Sequence, residues 1–234
     1  MAGRRVGRAL LGSGLLVVTA LGGAGGYGLG LLTTDQPASA GTSAAPLAGV
    51  DSSTSPTPTV PPKTIIPDDS EPLRASDIRY KTRVFTARGT VESHVSVKAP
   101  STWDMTQPDP PKEGRFNEPA RKRWIRVEAG FTIQRAPEVS MDLRIAQLRD
   151  SVPASQMVTI KSHKVDLDTK NATLAYTYVP ENGVRYVVIR WVANRNGLCI
   201  FEIAATGLPQ DKPALEAILD HASESATRSD SRLS

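Results

Sequence analysis

The sequence predicts an α+β protein: an antiparallel sheet of about six to seven strands with two helices, preceded by one N-terminal transmembrane helix. Three observations carry this. Near the C-terminus, three runs rich in β-branched and aromatic residues are separated by Asn-Gly pairs. Two stretches repeat apolar residues at helical spacing, and residues 9–32 carry no charge at all.

At the N-terminus, residues 1–8 hold Arg4, Arg5 and Arg8, and the uncharged run at 9–32 follows them. A helix rises about 1.5 Å per residue, so a run of about 20 spans a hydrocarbon core of about 30 Å. Arginines ahead of such a run stay in the cytoplasm, which sends the rest of the chain outward. The expected location is therefore the cell membrane, single-pass, with an extracytoplasmic C-terminal part. A cleaved and secreted form is the alternative, because Ala38-Ser39-Ala40 has the small-residue pattern of a signal-peptide site. Gly22, Gly26 and Gly30 share one face of the run and permit close helix–helix approach.

Residues 33–76 are dominated by Pro, Ser, Thr and Ala, including the run STSPTPTVPP. Proline removes backbone donors, and few large apolar side chains are present to offset the entropy of ordering. This stretch is expected to be a disordered tether between membrane and domain.

The globular domain is expected at 77–228, with a disordered tail at 229–234. Residues 173–179 (TLAYTYV), 184–192 (VRYVVIRWV) and 198–205 (LCIFEIAA) read as strands. Asn182-Gly183 and Asn196-Gly197 suit tight hairpin turns, so the three form an antiparallel meander. Both alternating faces of Val187-Val188-Ile189 and Cys199-Ile200-Phe201 are apolar, which places these strands centrally, covered on both sides. A helix follows, with Asp211 as N-cap, Pro213 in its first turn, and Leu215, Ile218, Leu219 and Ala222 as one apolar stripe. After Ala226 the chain turns polar and is expected to fray. Upstream, 83–87 and 95–99 pair across Gly89, 124–133 alternates into a third strand, and 157–167 forms another. Met141, Ile145, Leu148 and Val152 mark the first helix, with Ser140 as N-cap. The Pro-rich stretch 107–119 is expected to be one long irregular loop.

A strand ending in Pro100 and soon followed by Trp103 (VSVKAPSTW), then a helix, a strand meander and a C-terminal helix, resembles the Mog1/PsbP-like fold. More narrowly the chain is similar to the LpqN/LpqT-type exported proteins of actinobacteria. The resemblance covers about 150 residues and implies a binding or assembly module, with no catalytic residue to carry over. No cysteine lies at the end of the hydrophobic segment, so attachment through a lipid-modified cysteine is excluded.

Chemistry is sparse. The one cysteine, Cys199, lies in an apolar run and reads as a buried thiol. His94, His163 and His221 have no partner at metal-ligand spacing. Asp166 and Asp168 share one side of a strand end and read as a charged turn, with acid/base or cation chemistry as the sharper alternative. No phosphate-binding glycine loop or nucleophile elbow is present. With 28 Lys+Arg against 24 Asp+Glu, the net charge of +4 is too small and too interspersed for nucleic acid. No cofactor and no metal are expected.

One cluster stands out as a ligand- or partner-binding candidate: Arg115, Arg121, Lys122, Arg123, Trp124 and Arg126, with Phe116 nearby. Cations interleaved with aromatics suit an envelope protein, an anionic wall polymer or a lipid headgroup. The other reading is a solvated edge strand whose cations block edge-to-edge pairing. The function expected is a non-catalytic, membrane-tethered, extracytoplasmic binding or accessory module of the cell envelope, not an enzyme. The alternative is a small-molecule or lipid carrier with a cavity between sheet and helix.

Overall fold

The structure is a computed structural model that describes residues 63–231 of the chain. The predicted transmembrane helix at 9–32 and the linker up to residue 62 lie outside the described residues, as do 232–234. The described part is an α+β fold of two antiparallel sheets and two helices.

Strands β1 (Tyr80–Arg88) and β2 (Glu92–Pro100) form the expected hairpin across Gly89. They do not join the main sheet. Their third partner is β10 (Thr227–Ser231), which pairs antiparallel with β2, Thr227 opposite Ser96. This corrects the expectation that the chain frays after Ala226. The strand is polar because it is an edge held by its side chains. Arg228 donates to the carbonyls of Ile200 and Phe131 and stacks 4.9 Å from the Phe131 ring. The Ser93 hydroxyl donates to Asp230 at 2.7 Å.

The main sheet has seven strands. They are β3 (Asp104–Thr106), β4 (Glu113–Asn117), β5 (Trp124–Glu128), β6 (Thr159–Val165), β7 (Ala172–Tyr178), β8 (Arg185–Ala193) and β9 (Cys199–Gly207), in the spatial order β3-β4-β5-β9-β8-β7-β6. The meander β7-β8-β9 and the inner position of β8 and β9 match the sequence pattern. Gly197 takes φ +74° in its turn, where the Asn194 carboxamide oxygen accepts from the amides of Asn196 and Leu198. Gly183 stays outside the left-handed region, so its hairpin closes through a longer loop.

Two expectations fail between Gln107 and Ile133. The stretch 107–119 is not one loop, because β4 lies within it and pairs with β5 along its whole length. Five residues between prolines were too short and too charged to show a strand pattern. The strand expected at 124–133 stops at Glu128. Gly130 takes φ +78° there and passes so close to Gly89 that a Cβ on Gly89 would lie 2.6 Å from the Gly130 carbonyl oxygen.

Helix α1 (Pro137–Asp150) starts one turn earlier than expected, with Ala136 rather than Ser140 at the N-cap. Pro137 suits the first helical position, where no amide donor is needed. Helix α2 (Lys212–Ser225) begins at Asp211 as expected, but the Asp211 carboxylate makes no cap bond to it. It accepts instead from the amides of Leu208 and Leu73.

The helices cover opposite faces of the main sheet. On one face α2 and the β1-β2 hairpin enclose Phe85, Val97, Trp103, Phe116, Ile125, Phe201 and Ile203. On the other, Met141, Ile145 and Leu148 of α1 pack on Leu174, Ile189 and Trp191. Burying each such side chain contributes about 1.5–3 kcal/mol. Cys199 sits in the second core, and burial raises its thiol to about 12, which keeps it protonated.

Candidate functional site

Helix α1 covers only part of its face of the main sheet. Residues alternate across a strand, so Trp124, Arg126 and Glu128 on β5 share that face with Glu113 and Arg115 on β4 and Glu202 on β9. Arg123 and Ile125 point to the other face. The six residues of the sequence-level cluster are thereby divided among three environments.

The first is an interior charge network. Arg126 is 4% exposed and donates to Glu113, Glu128 and Glu202. Arg115 pairs with Glu113 at 3.0 Å, and the Trp191 indole N–H donates to Glu202 at 2.9 Å. Arg144 of α1 approaches Glu202 at 3.9 Å. Burial alone would depress the Arg126 guanidinium, but the surrounding acidic groups, Glu202 first, outweigh it and hold the cation. Burial, reinforced by the neighbouring Glu202 carboxylate, raises Glu128 to about 8, so its carboxyl keeps a proton at neutral pH. With its carboxylate neighbours so close, Arg126 is a structural cation of the interior and does not face an external anion.

The second environment lies on the α2 side. Arg123 is 6% exposed and forks onto Asp211, with Nε to Oδ2 at 2.6 Å and Nη2 to Oδ1 at 2.9 Å. It also pairs with Glu118 at 2.6 Å and donates to the Glu71 carbonyl. Burial tends to raise Asp211, but the Arg123 guanidinium and two backbone amides prevail and hold its carboxyl below the usual range. This fork ties the start of α2 to β5 and to residues 71–73.

The third is an open groove of about 870 Å³ at the end of the sheet where β5 and the β7–β8 loop meet. Trp124 and Tyr178 line it with Lys122 and Arg185. Arg185 donates to the Lys122 carbonyl at 2.9 Å. Arg121 is exposed beside it, in a turn at φ +56°. Lys122 and Trp124 are thus the two cluster residues that meet in one accessible place.

The groove has a fourth wall that the sequence reading assigned to the disordered linker. Residues 63–74 lie along the domain, which corrects that boundary. Lys122 Nζ stands 3.0 Å from each Asp68 carboxylate oxygen and also contacts the Ser70 hydroxyl. Those contacts hold the Asp68 carboxyl well below the usual range, the Ser70 hydroxyl first and Lys122 second. Gln210 donates to the carbonyls of Asp68 and Ser70, and Ile66 donates its amide to the Asn182 carbonyl at 2.8 Å. Composition hid this segment, because its partners are side chains more than fifty positions away in sequence. The pair Ile65-Ile66 ahead of Asp68-Asp69 was the one local sign that it differs from the Pro/Ser/Thr run before it.

A smaller recess of about 460 Å³ sits between the end of α1 and β6, lined by Leu148, Val152, Met157, Val158 and Ile160. Its rim residues Arg149, Pro153 and Met157 are exposed, so it opens on the surface. The remaining sequence candidates are separate. His94, His163 and His221 are exposed on β2, β6 and α2. Asp166 accepts from the amides of Asp168 and Thr169, closing its own turn. Among the described residues, no three His, Cys, Asp or Glu are grouped to hold a metal ion.

At the level of class, these features define an α+β domain with an open polar-aromatic groove beside an interior ion network. No protein-family model matches the chain, and no curated protein matches it in sequence.

Proposed function

We propose that this chain is a non-catalytic binding or accessory module of the cell envelope, tethered to the membrane by residues 9–32 and working outside the cytoplasm. Its ligand site is the groove at Lys122 and Trp124. The observation that carries this reading is the groove itself: an accessible volume of about 870 Å³ where two aromatic rings and two cations converge. Aromatic faces offer contact area at low entropic cost, and Lys122 and Arg185, which face Asp68, Asp69 and Glu181 across the groove, can exchange those carboxylates for an anionic group of a partner. The sheet-and-helix order is in keeping with the Mog1/PsbP-like resemblance and its mostly non-enzymatic members. The carrier reading fits less well, since the apolar recess beside α1 is open and about half the size of the groove.

The test is retention of the full chain on anionic envelope membranes. Replacing Lys122 by Ser together with Trp124 by Ala is expected to lower retention at least about tenfold at moderate salt, a difference of about 1.4 kcal/mol. Arg123 and Arg126 are left intact, because their ion pairs hold the fold. Unchanged retention of the double variant removes the groove as the binding site.

A further inference from the structure

One wall of the groove is a piece of its own chain, and the way that piece is held describes what the groove accepts in its place. Residues 63–70 (KTIIPDDS) run across it without helix or strand. Every polar hold on them is of a kind that a peptide uses. The Lys63 ammonium donates to the carbonyls of Val179 and Pro180, each at 2.8 Å. The Ile66 amide donates to Asn182, the Asp68 carboxylate takes both bonds from Lys122, and the Asp68 carbonyl accepts from Gln210 at 2.8 Å.

We propose that residues 63–70 are a displaceable wall of the groove, and that the site recognises an extended acidic segment of a partner chain in their place. This rests on the reading of the groove as the ligand site. Three observations support it.

The hold is polar and shallow. Ile65 and Ile66 are 42% and 57% exposed, so no apolar side chain anchors this stretch. Neutral hydrogen bonds and a partly exposed ion pair such as Lys122–Asp68 each contribute little net stability, because water replaces the lost partner. Local release is therefore far easier than unfolding the domain.

The anchoring changes abruptly after Ser70. The Leu73 amide donates to buried Asp211, Arg123 holds the Glu71 carbonyl, and Leu73 packs on the core. Residues 71–73 are a fixed hinge, and 63–70 are the part that can lift.

The Asn182 carbonyl accepts the Ile66 amide and the Gln210 carboxamide donates to the Asp68 carbonyl, the two kinds of bond that an extended peptide backbone offers. With Asp68 and Asp69 lifted away, the wall keeps Lys122 and Arg185 against Glu181, which favours an acidic segment. A partner that binds only the open form has its affinity reduced by the closed fraction. Release would also lengthen the tether by at most about 28 Å, at about 3.5 Å for each of the freed residues.

The experiment uses the full chain in detergent and the synthetic peptide KTIIPDDS as probe, with KTIIPNNS as control. Binding is read by anisotropy, and amide exchange is followed at residues 64–70. Asp68→Ala with Ser70→Ala weakens the internal hold at an accessible site, and its melting temperature serves as the folding check. The expected result is binding of KTIIPDDS at least about tenfold tighter to this variant than to wild type, loss of binding with KTIIPNNS, and faster exchange at Ile66 and Ser70 when the peptide is added to wild type. Equal affinity for both proteins, with exchange unmoved, overturns displacement. Binding of phosphatidylglycerol vesicles but not of the peptide overturns the peptide class. In either case, envelope retention that still depends on Lys122 and Trp124 leaves the groove as the ligand site. If that dependence is absent as well, the functional reading itself has failed.

Discussion

Lys122 and Arg126 stand on the same short stretch of chain, and both face carboxylates, yet they work under different physics. The Arg126 side chain is 5% exposed and stands among Glu113, Glu128 and Glu202. The Lys122 side chain is 38% exposed and faces Asp68 at 28%. In the interior, Coulomb attraction is several-fold stronger than at the surface, and an abandoned charge cannot turn to water. At the surface, water substitutes for a lost partner at little cost. A run of cations in a sequence is therefore not one feature. Burial decides which members are structural and which are able to change partners.

Three variants sharpen that contrast, in descending order of effect on stability. Arg126→Ala strands the buried carboxylates of Glu113 and Glu202 and removes the donor to Glu128. It is expected to destabilise the domain by about 3–5 kcal/mol in chemical denaturation, the cost of breaking a buried pair from one side. A loss below about 1 kcal/mol would mean that water already reaches the network, and the contrast with Lys122 would dissolve.

The next test is pH. The Glu128 carboxyl titrates near 8 in the fold against 4.5 when unfolded. Between those values the folded state holds a proton that the unfolded state has lost, so this group makes stability fall as pH rises through the window. The groups facing it are Arg126, Glu113, Glu202 and Arg144. Glu128→Gln is expected to flatten the decline, whose limiting slope is about 1.4 kcal/mol per pH unit inside the window. A variant with the same slope as wild type would place the titration elsewhere.

Lys122→Ser gives the smallest change. It is expected to shift unfolding free energy by less than about 1 kcal/mol while raising amide exchange at Ser70, which loses its neighbour. A destabilisation as large as that of Arg126→Ala would show that the groove is part of the core, and not a site where ligands exchange.

The interior network had a trace in the sequence that was easy to pass over. Glu113 and Arg115 are two apart, as are Arg126 and Glu128, so each pair lies on one face of its strand. Opposite charges on strands that pair suggest a cross-strand cluster. Seeing it required knowing that 113–117 is a strand and that Arg115 sits opposite Arg126, and the surrounding prolines concealed both. The groove was half legible. Lys122 and Trp124 stood out as a cation beside an aromatic, whereas Tyr178 and Arg185 read only as the ends of a hairpin.

The local pattern determined the meander of β7, β8 and β9, the helix after Asp211 and the burial of Cys199. Alternation, turn chemistry and an apolar stripe are set by residues within a few positions of one another. Tertiary structure alone decided that Thr227–Ser231 closes the small sheet, that residues 63–70 wall the groove, and which arginines turn inward. Each of these depends on partners far along the chain: Asp230 meets Ser93 across 137 positions, and Arg123 meets Asp211 across 88. No local period carries such pairings, because they arise only when the chain has folded back and removed water from between them.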